Sequence, residues 1–71
     1  MKMENKSAFV DALGYALRNY TRLGIGTVTY NKTPDDRELV EIRFLNGGII
    51  RVEVTADSCL AIMQDIYKAL I

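Results

Sequence analysis

Ser58 and Cys59 are the side chains of this 71-residue sequence that chemistry would most readily use as nucleophiles. Either needs a base within hydrogen-bond reach, and the chain has no histidine. A thiol in the first turn of a helix can be activated by the dipole. The spacing of Cys59 to Met63, Ile66 and Leu70 instead sets it on an apolar face, as a buried structural thiol. Asp35, Asp36 and Glu38 form the densest acidic group, yet calcium loops alternate their oxygen ligands and turn on a glycine. This run does neither, and capping and turn roles explain its acids. Gly24-Ile25-Gly26 has the glycines of a phosphate cradle in the wrong order, because it follows a helical pattern and opens a strand. No catalytic residue, metal set or cofactor loop can be assembled, so the reading is of a protein that is not an enzyme and carries no cofactor.

Two groups remain as candidates for interaction. Tyr15, Arg18 and Arg22, with Asp11, share the helical face opposite the apolar one. An aromatic beside two arginines can stack a base or anchor a partner protein. The competing reading has Arg18 and Arg22 offset the negative end of the helix while Tyr15 covers their stems. The second group, Thr27, Val28, Thr29 and Tyr30, lies in a segment from Gly24 to Tyr30 with no charge and no proline.

These residues are placed by five elements. Phe9, Ala12, Leu13, Ala16, Leu17 and Tyr20 fall on one helical face, so the spacing predicts a helix from Ser7, as cap, to Leu23, stopped by Gly24. Ile25 to Tyr30 is rich in β-branched and aromatic residues and reads as a strand. Thr33-Pro34-Asp35-Asp36, within the connection Asn31 to Arg37, has the pattern of a single helical turn. Val40, Ile42 and Phe44 alternate with Glu41 and Arg43, as Ile50, Val52 and Val54 do with Arg51 and Glu53. Two half-buried strands follow. A two-residue Asn46-Gly47 turn would set Ile42 against Arg51 and mix the faces. A three-residue Leu45-Asn46-Gly47 loop with Gly47 left-handed sets Ile42 opposite Ile50 and Glu41 opposite Arg51. From a cap at Thr55 or Asp57, the residues Cys59, Leu60, Met63, Ile66, Tyr67 and Leu70 repeat at helical spacing to the end of the sequence. Adding Ile62, Ala69 and Ile71 widens that apolar arc beyond what one sheet contact needs, and helix 1 is the economical neighbour.

The expected fold is α+β, in the order α-β-β-β-α: a three-stranded antiparallel meander with two helices packed on one face, residues 1–71 forming a single domain. That order resembles the double-stranded-RNA-binding domain across the whole chain, which implies phosphate contacts from the start of the second helix and minor-groove contacts from helix 1. The residues depart from that pattern. Helix 2 opens Thr55-Ala56-Asp57-Ser58, with an acid where lysines belong, and Lys32 and Arg37 face Asp35, Asp36 and Glu38 in the loop. Nucleic-acid binding, through the helix 1 stripe with Lys2, Lys6 and Lys32, therefore stands as the alternative.

Nine basic and nine acidic residues cancel, and a pI near 6.1 gives no overall field to gather nucleic acid or an anionic membrane. An apolar share of 49% with 25% charge is the composition of a chain that folds. No signal-peptide pattern opens the sequence, no apolar run approaches the roughly 20 residues that span a bilayer, and one cysteine makes no disulfide framework. These features point to a cytoplasmic protein without a membrane segment. A chain this small buries little of its surface alone. The expected remedy is a homodimer through the uncharged first strand, or an unidentified protein partner.

Overall fold

The computed structural model describes residues 5–71. Lys2, one of the candidate cations, lies outside them. Helix α1 runs Lys6–Tyr20, strands β1, β2 and β3 run Ile25–Lys32, Glu38–Phe44 and Ile49–Glu53, and helix α2 runs Cys59–Leu70. The strands form one antiparallel sheet in the order β1-β2-β3. Val10 from α1 and Ile62 and Ile66 from α2 share a buried cluster with Val28, Val40 and Ile42, so both helices cover the same face. The expected α+β architecture is the observed one. Among the described residues the eight buried hydrophobic ones are all valine or isoleucine. Branched at Cβ, they hold few rotamers and suit a core that must be defined by little material.

The helix faces differ from expectation. Helix α1 buries Val10 and Gly14, with Phe9, Leu13 and Leu17 partly buried, while Ala12, Ala16 and Tyr20 are exposed, Tyr20 by 80%. Gly14 is the cause. A Cβ built there would stand 3.0 Å from the Cβ of Val28, so the missing side chain lets the helix backbone settle onto β1. Asn5 caps α1 in place of Ser7, its side-chain oxygen accepting from the Ala8 N–H at 3.0 Å. The helix ends at Tyr20. Thr21 turns extended and its hydroxyl donates to the Leu17 carbonyl at 2.5 Å, satisfying one of the orphan acceptors. Gly24, at φ +74°, thus sits past the helix and opens β1.

Helix α2 is also turned. Ile62 and Ile66 are buried, Cys59 is half-buried, and Leu60, Met63, Tyr67 and Ile71 are exposed. Ser58 is its cap, accepting from the Ala61 N–H at 3.2 Å. Thr55 and Asp57, the expected caps, are engaged elsewhere. The Thr55 hydroxyl accepts from the Glu38 N–H at 3.0 Å and donates to Glu53 at 2.9 Å.

Both hairpins use the same device. The β2–β3 register sets Ile42 opposite Ile50, Glu41 opposite Arg51 and Val40 opposite Val52, as the alternation requires. Phe44 and Gly48 close the loop, and Gly47 is left-handed at φ +95°. The β1–β2 connection forms no helical turn. β1 continues to Lys32, Thr33 N–H donates to the Arg37 carbonyl at 2.8 Å, and Asp36 takes the left-handed position at φ +67°. Aspartate tolerates that conformation better than most residues.

Gly14→Leu is expected to lower stability by about 2 kcal/mol, because the larger side chain must push α1 off Val28. Urea denaturation measures it, and an unchanged midpoint would remove the close seat from the account. Gly47→Val should cost about 1 kcal/mol or more through backbone strain at positive φ. Unaltered stability of that variant would show that the hairpin tolerates another turn.

Candidate functional site

The helix 1 group divides in the structure. Tyr15 and Arg18 stand together on the exposed face of α1, whereas Arg22 lies past its end and turns with Thr21 and Leu23 toward α2. Asp11, Arg18 and Arg22 make no ion pair among the described residues. The other cations of the stripe are engaged: Lys6 Nζ lies 2.7 Å from Glu38 Oε1, and Lys32 Nζ lies 3.7 Å from Asp36.

The strand group lies on an edge. β1 pairs only with β2, and the shift at Gly26 between Ile25 and Thr27 is a bulge that returns the following residues to register. In an antiparallel ladder, directly opposed residues alternate between bonded and unbonded pairs. Thr33 bonds Arg37 at the hairpin, so the bonded pairs run through Asn31 with Leu39, Thr29 with Glu41 and Thr27 with Arg43. The outward-pointing backbone groups of β1 therefore belong to Val28 and Tyr30. Their side chains point inward: Val28 is buried beneath Gly14, and the Tyr30 hydroxyl hydrogen-bonds Glu38. Thr27 and Thr29 project from the open face of the sheet. At the opposite edge, β3 carries Arg51, 3.2 Å from Glu41, and Glu53, held by both Arg37 Nε and Nη2 at 3.2 and 2.9 Å.

Sequence reasoning missed a concavity between the helices. Between the C-terminal halves of the helices lies a groove of about 560 Å³. Leu13 and Leu17 line it from α1, Met63, Tyr67 and Leu70 from α2, and Arg22 borders it from the segment that follows α1. The signal available was the over-wide apolar arc of helix 2. What the sequence withheld was the rotation of α1 on Gly14, which leaves that arc half uncovered.

At the other end of the helices, Glu38 ties four segments together. Its carboxylate receives Lys6 of α1, the Tyr30 hydroxyl of β1 and the Ala56 N–H, while its backbone N–H and carbonyl bond Thr55 and Val54. The Lys6 hydrogen bond, against a smaller burial effect, holds its carboxyl below the usual glutamate range. Glu41 and Glu53 are lowered by their arginines, and Asp35 by Thr33. Asp57 departs the other way. One of its oxygens, Oδ2, is buried with no donor, and its carboxyl meets that of Asp65 on α2. Two carboxyls hydrogen-bond only by holding a proton between them, so the Asp65 contact, and burial after it, raise the Asp57 pKa. Asp35, Asp36 and Glu38 do not converge, and no group of three metal-binding side chains forms among the described residues. No helix there is long and apolar enough to cross a membrane. Comparison with protein-family models, curated proteins and solved structures found no match for the chain.

The carboxylates give opposite pH dependences. For Glu38, Glu41, Glu53 and Asp35, folded pKa values below the unfolded ones give stability that is complete at neutral pH and lost as pH falls through the folded values. For Asp57 the folded chain holds its proton longer, so its contribution is greatest at acid pH and lost as pH rises through the raised value. Asp57→Asn, which mimics the protonated form, should raise the urea midpoint at neutral pH, with the gain disappearing below about pH 4. A variant less stable than wild type at neutral pH would show that the Asp57 charge is favourable.

Proposed function

We propose that this chain is a non-catalytic interaction domain that works as a homodimer, with β1 of one copy pairing antiparallel to β1 of another across a two-fold axis. The observation that carries the reading is the asymmetry of the two sheet edges. β3 is five residues long and bears the ion-paired Arg51 and Glu53, whereas β1 is eight residues long and uncharged from Ile25 to Asn31. An unguarded edge of this length is a template for another strand, and its own copy is the partner always present at the right concentration. Pairing would extend the sheet to six strands with four helices on one side. It would also bury surface that a core of eight valines and isoleucines leaves wet. Nucleic-acid binding is the weaker reading, because Lys6 and Lys32 are held in ion pairs with Glu38 and Asp36. A cytoplasmic location belongs to the same proposal, supported by a single cysteine in place of the disulfide framework common in secreted domains of this size.

Light scattering at micromolar concentration should give twice the 8.0 kDa chain mass. Thr27→Lys with Thr29→Lys sets like charges across the two-fold axis on exposed positions that the fold does not need. That double variant should be monomeric and as stable as the isolated domain. A monomeric wild-type chain, or a double variant that stays dimeric, overturns the edge-paired dimer.

A further inference from the structure

We propose that the groove between α1 and α2 binds a single-chain amphiphile with an anionic head, namely an acyl carboxylate of medium length. No residue of β1 lines the groove, so this site stands apart from the proposed dimer. Its volume of about 560 Å³ lies within the ordinary span of small-ligand pockets. The walls are largely aliphatic and flexible, with the Tyr67 ring among them: Leu17, Leu23, Met63, Ile66 and Leu70 adapt to a methylene chain and offer it no hydrogen bond.

Among the described residues, Arg22 is the one charged residue that lines the groove. The Thr21 hydroxyl is spent on the Leu17 carbonyl, so it offers the groove no free donor. Arg22 has no acid partner among the described residues. Nor is it needed to offset the helix dipoles, since Arg18 occupies the last turn of α1 and Lys68 the last turn of α2. An unpaired arginine that borders an apolar groove is complementary to a carboxylate carried on an apolar chain.

Calorimetric titration with decanoate, decanol and decyltrimethylammonium, each below its micelle concentration, tests the assignment. It is run on wild type and on the Thr27→Lys, Thr29→Lys chain, so that failure of the dimer leaves the result readable. Decanoate should bind one to one and saturably, with decanol weaker by about tenfold for want of the charged head. Arg22→Gln, at an exposed position, should reduce decanoate to the decanol affinity and leave decanol unchanged. Met63→Trp, which fills the mouth, should abolish both, with circular dichroism confirming the fold. Absence of saturable decanoate binding, equal binding of the cationic amphiphile, or an Arg22→Gln chain that binds decanoate as wild type does would overturn it. Co-sedimentation with phosphatidylglycerol vesicles without binding of monomeric decanoate would assign the groove to a membrane surface instead, and a groove-mediated dimer that excludes decanoate would assign it to a second copy.

Discussion

The contact between Gly14 and Val28 governs the arrangement of everything above the sheet. A helix rests on a sheet at a distance set by the side chains between them, and a glycine at the point of crossing lets α1 come close enough that its backbone replaces a side chain. Close seating selects the face that turns inward. With Gly14 down, Val10 and Leu17 follow it, and Ala12, Ala16 and Tyr20 are carried outward. Helix α2 then meets α1 over a narrow strip, its inner positions filled by Ile62 and Ile66 while Met63 and Tyr67 stay exposed. The groove is the space this geometry leaves.

The sheet was readable in the sequence because its rule is simple. Period-two alternation fixes which residues share a face, and the loop must preserve that pairing, so Val40, Ile42, Ile50 and Val52 with a left-handed Gly47 admit one register. The first hairpin obeys the same geometry but hides it. Its left-handed position is filled by Asp36, and Thr33-Pro34-Asp35-Asp36 satisfies the rules for a helix start equally well. Closure of the ladder by Thr33 and Arg37 decides between the two, and that is a pairing the local sequence does not contain.

Helix faces were less legible for a related reason. Two alanines against one valine and one glycine is a near tie on hydrophobicity, and the tie is broken by the shape of Val28 on another element. Tyr15 and Arg18 were placed on the surface by pattern alone, and the structure keeps them there. Arg22 changed neighbours because α1 ends early, at Tyr20, where the hydroxyl of Thr21 can close it. Which backbone groups of β1 face outward needed the register of its partner, since that assignment shifts from Thr27 and Thr29 to Val28 and Tyr30 with a single step along the ladder.

Zero net charge conceals an ordered distribution. Glu38, Asp57 and Lys6 gather where both helices begin, while Arg18, Arg22 and Lys68 stand where both end. Acids near helix starts and cations near helix ends are what the peptide dipoles favour, and two helices with their ends side by side double the demand. Lys6 reverses the sign at the starting end. It does so because Glu38 needs a partner there: a carboxylate at the junction of α1, β1 and the turn into α2 would otherwise lie beside Asp57 and Asp65 with no cation in reach. Glu38 and Lys6 thus neutralise each other at one end, and the cations at the other remain uncompensated by acids. A composition that sums to nothing is thus sorted along the helix pair, with a paired carboxylate and lysine at its start and, at its end, cations set against the negative ends of the helix dipoles beside the groove.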